Sequence, residues 1–297
     1  MESLVFSNNS PSSINIQVKN YEYIRLDKKE NGVAELVLNR GKQLNTMNDD
    51  FFNEFISIFN EIQNDNAIRV VIVWAEGRMF SAGLNLVQVG PMLSGGNDSE
   101  KGEEDSLASN NLKVFRLVRR WQSSFDKINK CTKPVIAAIH NMCIGGAVDL
   151  VTACDIRLCS EDAVFSIKET QLAIVADLGT LQRIGRICGS GFAREIAFTG
   201  ANIDSQSALR NKLVNHVYKT KEILLEEARK LATQISKNSP LVVQSTKIML
   251  NHADDHTIDE GLLRVALHNS AFLKSDDLNE AVASFIEKRP PIYKSNL

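Results

Sequence analysis

Two β-branched runs of strand length, Val33-Ala34-Glu35-Leu36-Val37-Leu38 and Val70-Val71-Ile72-Val73-Trp74, bracket a segment whose apolar residues recur at helical spacing: Phe51, Phe52, Phe55, Ile56, Ile58 and Phe59. The resulting β, α, β order restricts the chain to an α/β class. A third run, Val135-Ile136-Ala137-Ala138-Ile139, is introduced by Pro134 and feeds the pair Gly145-Gly146 and an apolar helical pattern from 147 to 153. Short strands are expected at 156–158 and 164–167. From about Gly179 the pattern turns mainly helical, with amphipathic stretches at 223–235 and 240–250.

The expected organisation is therefore a disordered leader over 1–20, polar and rich in Ser and Asn to about Ser13, an α/β core over 21–200, and a helical region over 201–297. The stretch 88–111 collects Gly, Ser, Asn, Asp and Glu and reads as a loop, a mobile insertion or a lid, with helical periodicity resuming over 112–128.

At 297 residues and 43% hydrophobic, the chain can bury a substantial core. A formal charge of −2 with both signs interspersed leaves no basic face for nucleic acid or an anionic membrane. No run approaches the roughly 20 apolar residues of a membrane helix, and the N-terminus has neither a secretory nor a transit pattern, so the mature chain is expected to begin near Met1. Five cysteines (Cys131, Cys143, Cys154, Cys159, Cys188) without a C-x-x-C pair suit reduced thiols, and neither disulfides nor zinc are expected.

Chemistry concentrates in one window. Gly145-Gly146, at a strand-to-helix junction, lets a backbone N–H approach a ligand with no Cβ in the way, and the helix N-terminus adds positive potential. Such a donor suits an oxyanion or enolate. A second donor is expected near Gly83, because Phe80-Ser81-Ala82-Gly83-Leu84-Asn85-Leu86 follows the strand at 70–75 in the same way. The plain alternative for both is tight-turn packing. Asp149 falls in the first helical turn, where the dipole stabilises a carboxylate with or without chemistry. Glu169 and Asp177 stand in surroundings of Leu, Ile, Val and Ala, costly for charges unless paired, hydrated or protonated; solvated loop acids are the alternative.

Two patterns carry nothing further. His252 and His256 have helical i,i+4 spacing, but Ala253 occupies the place of the zinc-protease Glu, so no metal site is expected. Gly189-Ser190-Gly191 has Arg194 where the dinucleotide fingerprint needs its third glycine, and reads as a turn.

Taken in order, Leu38-Asn39-Arg40 with Leu44-Asn45-Thr46-Met47, then Phe80-Ser81-Ala82-Gly83-Leu84, then Lys133-Pro134-Val135-Ile136-Ala137-Ala138 leading into Gly145-Gly146, and Gly179-Thr180 with Gln182-Arg183, resemble the crotonase, or enoyl-CoA hydratase/isomerase, superfamily from about Tyr21 onward. The resemblance implies a spiral of ββα units with a C-terminal helical trimerisation region, assembled as a homotrimer or homohexamer. It also implies an acyl-CoA substrate whose thioester oxygen sits between the backbone N–H groups of Leu84 and Gly146. Ala82, Gly83, Asn85 and Leu86 would flank the substrate, and Lys42, Gln43 and Leu44 would hold the adenine end of CoA. Gly41 departs from the proline common in relatives, which touches loop rigidity more than chemistry.

Typical hydratases of the superfamily carry Glu at the positions of Asp149 and Glu169 and Gly at that of Asp177. Asp, Glu and Asp in this chain resemble instead the branch that isomerises 3,5-dienoyl-CoA to 2,4-dienoyl-CoA in fatty-acid β-oxidation. That reaction takes a proton from the carbon beside the thioester and returns one about 5 Å away, a span that one fixed carboxylate serves poorly. Two carboxyls, one ionised and one protonated, suit it, with the dienolate held in the oxyanion hole and no cofactor beyond the substrate's CoA. Glu169 is expected at the proximal carbon, Asp177 at the distal one, and Asp149 as a tuner or shuttle. A 2-enoyl-CoA hydratase, a Δ3-Δ2-enoyl-CoA isomerase, and a non-catalytic fold relative binding acyl-CoA or a partner such as RNA are the alternatives. Ser295-Asn296-Leu297 resembles the peroxisomal address, with Asn replacing its basic residue, and points to the peroxisomal import receptor ahead of a mitochondrial or cytoplasmic location.

Overall fold

The computed structural model describes residues 16–93 and 106–294. Its main sheet starts with β1 (Ile16–Asn20), β2 (Ile24–Lys29) and β3 (Val33–Leu38), which pair antiparallel in sequence order. Every residue of β3 is buried, as its unbroken apolar run with a single Glu35 requires of a central strand. Glu35 is tolerated there because Arg229 and Trp74 hydrogen-bond its carboxylate. β1 corrects the leader reading over 16–20: those residues form an edge strand. Its side chains are mostly exposed, so it lacks the buried-face alternation that announces a strand.

After β3, α1 (Asp49–Asn64) is capped by Asn48, whose side chain accepts the Phe51 N–H, with Asp49 and Asp50 in the first turn facing the positive end of the dipole. Its apolar stripe buries Phe51, Phe52, Phe55, Ile58, Phe59 and Ile62. The chain then runs through β4 (Val70–Ala75), α2 (Leu86–Leu93) and α3 (Leu107–Lys130). Trp121 of α3 stacks on Phe52 with centroids 5.0 Å apart, and Phe125 meets Phe55 edge-on at 5.6 Å. Burying each such ring contributes about 1.5–3 kcal/mol; these rings are among the largest fully buried side chains of the described residues.

Helices α2 and α3 correct the loop reading of 88–111: residues to 93 are helical and helix resumes at 107, capped by Ser106, rather than at 112. The first turns of α3 leave Leu107, Leu112 and Phe115 exposed, so no buried stripe marks them in the sequence. The intervening residues 94–105, the leader residues 1–15 and the terminal Ser295, Asn296 and Leu297 lie outside the described residues.

The next units repeat one scheme. β5 (Val135–Ile139) joins the main sheet, β6 (Met142–Ile144) a second sheet, and α4 (Gly146–Ala153) follows; β7 (Ile156–Ser160) and β8 (Val164–Ser166) divide between the sheets in the same way. α5 (Thr180–Cys188), α6 (Ser190–Thr199), β9 (Ile203–Asp204), α7 (Ser205–Arg210) and β10 (His216–Tyr218) complete this part. The main sheet runs β1-β2-β3-β4-β5-β7-β10, parallel from β3 onward, and the small one β6-β8-β9. A bridge from Ser81 to Cys143 ties the segment after β4 to the small sheet.

The main sheet continues past residue 200 through β10. α8 (Lys221–Ser236) then covers its outer face, packing Leu224, Ala228 and Ala232 against Val33, Val70, Ile72, Ile136, Ala138 and Leu158. α9 (Pro240–Ala253) sends the buried Lys247 inward to Asp155 Oδ2 at 2.7 Å and to the carbonyls of Ile128 and Lys133. α10 (Ile258–Phe272) and α11 (Asp276–Glu287) follow; α10 buries no residue within the chain although it carries Leu262, Leu263 and Leu267. No helix among the described residues is long and apolar enough to cross a membrane.

Candidate active site

Two glycine turns converge. Gly83, at φ +82°, comes so close to the end of β6 that a Cβ built on it would lie 2.5 Å from Ile144 O and 3.2 Å from Gly146 N. Only glycine permits both that φ and that approach. The turn is held from below: Met47 N–H donates to Gly83 O at 2.9 Å, Asn85 N–H to Met47 O at 2.8 Å, and Gly83 N–H to Ser81 Oγ at 3.1 Å. Asn45, at φ 50°, anchors the supporting loop by donating from Nδ2 to the carbonyls of Glu76, Met79 and Phe80. Among the described residues, the Leu84 and Gly146 backbone N–H groups have no acceptor. Gly146 is the first residue of α4, so its N–H belongs to the unsatisfied, positive end of that helix. Two free donors on adjoining turns make a candidate cradle for one oxygen bearing negative charge.

The surrounding side chains are apolar. A Cβ on Gly146 would touch Met47 Sδ at 3.5 Å and Leu178 Cδ1 and Leu84 Cγ at 3.9 Å. Gly145, at φ +56°, faces Glu169: its Cβ would lie 3.2 Å from Glu169 Oε1. Ala82 N–H donates to Leu44 O, which sets the turn of Lys42, Gln43 and Leu44 beside the Gly83 segment, with Lys42 and Gln43 exposed. Gly41 in that turn packs directly on Gly77, where a Cβ would lie 2.7 Å from the Gly77 Cα; close backbone contact explains glycine here. Leu86 opens α2 with its side chain exposed.

Asp149 and Glu169 are 1% and 7% exposed, the deep members of the acid set. Burial pushes Asp149 up to about 6, opposed by hydrogen bonding from Thr180 and reinforced by the charge of Asp177. Its Oδ1 accepts the Thr180 backbone N–H at 2.6 Å. Glu169, in the short 3-10 turn Glu169–Leu172, is pushed up to about 7, first by burial and then by the charge of Asp149, with Asp177 adding to it. Its Oε2 is buried without a hydrogen-bond partner, as is Thr180 Oγ1. Asp177 sits in the turn before α5; the residue is exposed, yet partial desolvation still raises its carboxyl above the ordinary value. The charge of Asp177 acts on both Asp149 and Glu169, and that of Asp149 on Glu169, so the three acids form one electrostatic set, two buried and one exposed. Such a set holds ionised and protonated carboxyls together near neutral pH.

The raised Glu169 makes a stability prediction. The folded chain keeps this proton over a range in which the unfolded chain, near the ordinary 4.5, has lost it. Stability is therefore full below about 4.5 and falls as pH rises to about 7. We expect Glu169→Gln to be more stable than the parent above pH 7 by on the order of 2–3 kcal/mol, leaving the shallower decline due to Asp149. Urea melts between pH 4 and 8 check this; identical pH profiles for parent and variant would refute it.

Several contributors were not assigned roles from the sequence. Thr180 and Arg183 stood out there only as parts of a motif, and Met47 likewise. Gln122, whose Nε2 donates to Asp177 O at 2.6 Å, carried no signal at all, because its partner is 55 residues away. The His252–His256 pair is stacked, with centroids 3.6 Å apart, and no group of three or more metal-type ligands exists among the described residues.

Comparison with known proteins agrees with this geometry. The model of the enoyl-CoA hydratase/isomerase family matches residues 28–296. The chain is 62% identical over 296 residues to the mitochondrial Delta(3,5)-Delta(2,4)-dienoyl-CoA isomerase of Dictyostelium discoideum, covering 99% of each. It is 40% identical over 281 residues to the peroxisomal Delta(3,5)-Delta(2,4)-dienoyl-CoA isomerase of Arabidopsis thaliana, covering 93% of this chain and 98% of that one. Among solved structures, the enoyl-CoA hydratase of Bacillus anthracis superposes with a TM-score of 0.79 at 29% identity over 94% of this chain and 98% of the other. With the motifs, the two-sheet ββα arrangement and these matches in agreement, the chain belongs to the enoyl-CoA hydratase/isomerase family and has its crotonase fold.

Proposed function

We propose that this protein is a Δ3,5-Δ2,4-dienoyl-CoA isomerase of fatty-acid β-oxidation, acting by carboxylate-mediated proton transfer without a cofactor beyond the CoA of its substrate. The observation that carries the reading is a third carboxyl, Asp177, whose charge acts on Asp149 and Glu169 and whose chain neighbour Leu178 packs against Gly146. Full-length identity to a relative of that name supports it.

In this mechanism the thioester oxygen accepts from the Leu84 and Gly146 N–H groups. Ionised Glu169 takes the proton from the carbon beside the thioester; its unpartnered Oε2 and a value near 7 suit a base at neutral pH. Charge passes into the dienolate, which the two donors and the α4 dipole stabilise. Asp177, whose carboxyl is raised above its ordinary value by partial desolvation, then supplies a proton to the distal carbon, and Asp149, fixed by the Thr180 amide, tunes both partners. Lys42, Gln43 and Leu44 hold the adenine end of CoA, while Ala82, Gly83, Asn85 and Leu86 line the substrate's approach.

Assay of 3,5-dienoyl-CoA beside 2-enoyl-CoA tests the reading. We expect fast growth of 2,4-dienoyl-CoA absorbance and little hydration; fast hydration with no diene turnover would overturn it. The exposed apolar residues of α10 and α11, including Leu262, Leu263, Leu267, Phe285 and Ile286, support assembly as a homotrimer through the C-terminal helices. A peroxisomal location rests on the Ser295-Asn296-Leu297 tail; of the two isomerases compared, one is named mitochondrial and the other peroxisomal.

A further inference from the structure

A cavity of about 660 Å³ lies between α3, the C-terminal end of α4, α5 and α9. Gln122, Asp126, Thr152, Asp177, Gln182 and Arg183 are among its walls, whereas Leu84, Gly146, Asp149 and Glu169 are not. It is thus reached from the far end of α4, about 10 Å along the helix from the Gly146 N–H at 1.5 Å per residue. Of the three site acids, only Asp177 touches it. Its lining is rich in charged and amide side chains, and its volume far exceeds the ~30 Å³ share of one water. At its rim Arg186 and Asp255 form a 2.7 Å ion pair with both side chains more than half exposed, so it opens to solvent.

The walls nearest Asp177 are braced. Gln122 Nε2 donates to Asp177 O, and Arg183 Nη2 donates to Asp126 Oδ1 at 2.7 Å. Arg183 lies directly over Gly179, where a Cβ would be 1.9 Å from its Nη1, so a side chain there would expel the guanidinium. The α3 helix therefore holds the turn that carries Asp177 against the cavity.

We propose that this cavity is the proton entry of the distal acid: Asp177 is recharged by solvent through it, from the end of α4 away from the Gly146 N–H. The proposal rests on the role given to Asp177 above. In one turnover the C–H bond beside the thioester breaks, its electron pair enters the dienolate and its proton passes to Glu169. A C–H bond forms at the distal carbon with the proton of Asp177, leaving Asp177 a carboxylate and Glu169 a carboxylic acid. The next turnover needs one proton returned to Asp177 and one removed from Glu169. Solvent water supplies the first through the cavity and accepts the second from Glu169, so no net proton is consumed.

The test narrows the cavity at Gln182, an exposed rim residue on α5 outside the catalytic set. We expect Gln182→Trp to keep the parent's KM and melting temperature while steady-state kcat falls about tenfold after a burst of one product per site, the signature of slow resetting after fast chemistry. The unaltered protein, assayed in D2O, should place solvent deuterium at the distal carbon, which needs no folded variant. Return of the substrate's own proton to that carbon would overturn the proposal, as would a folded Gln182→Trp with parental kcat and no burst. If Asp177→Asn itself keeps full turnover, the role of Asp177 fails; if it is inactive while Gln182→Trp behaves as the parent, only the solvent route fails.

Discussion

Asp177→Asn is expected to lower kcat on 3,5-dienoyl-CoA by about 10²–10⁴-fold, the usual contribution of a positioned general acid, with KM little changed. Asn preserves size and the backbone contact from Gln122, which goes to the Asp177 carbonyl and not to its side chain. What it removes is the exchangeable proton. In the proposed mechanism the proximal half of the reaction uses Glu169 and the Leu84–Gly146 donors, all intact in this variant. It should therefore still exchange the hydrogen beside the thioester with D2O while failing to deliver product. That split between exchange and turnover separates a distal acid from general damage to the site. Turnover within about threefold of the parent would sink the distal role and return the chain to a mechanism with fewer acids.

The second large effect concerns the cradle. Gly83→Ala adds a Cβ 2.5 Å from Ile144 O at a φ of +82°, and the atom it meets is backbone, which cannot swing aside. The turn must move, and with it the Leu84 N–H that follows. Losing one aligned oxyanion donor costs about 10²–10³ in kcat, and left-handed backbone at a residue with a Cβ adds roughly 1–2 kcal/mol of destabilisation. Gly185→Ala is the matched control: it lies inside α5 with open space around its Cβ position and no proline after it, and should gain about 0.5–1 kcal/mol with unchanged activity. Turnover and urea melts of the pair check both. A Gly83→Ala protein with parental kcat would show that the Leu84 N–H is not a donor in the reaction.

The strands at 33–38, 70–74 and 135–139, the helix around Phe51 to Phe59 and the glycine junction before α4 were legible because each signal is local. β-Branched runs, 3.6-residue periodicity and a glycine at a strand end depend on neighbours a few positions away. β1, α2 and the first turns of α3 were missed for the converse reason: their residues are largely exposed, and an exposed segment carries no buried-face pattern. β10 is only three residues long and joins the sheet beside β7, more than 50 residues earlier in the chain.

For the site, the sequence by itself determined which residue types were present: three acids, two glycine turns and the motifs that place the chain in its family. Tertiary structure alone decided where they are placed and what surrounds them. Gly83 meets Ile144, Thr180 N–H meets Asp149, and Gln122 meets Asp177 across separations of 61, 31 and 55 residues, which no local pattern encodes. Proton affinity is likewise not a property of residue type. Glu169 stands near 7 and Asp149 near 6 because folding strips water from them and sets like charges close by, while Asp177 keeps an open face. Desolvation and the geometry of distant segments exist only once the chain is packed.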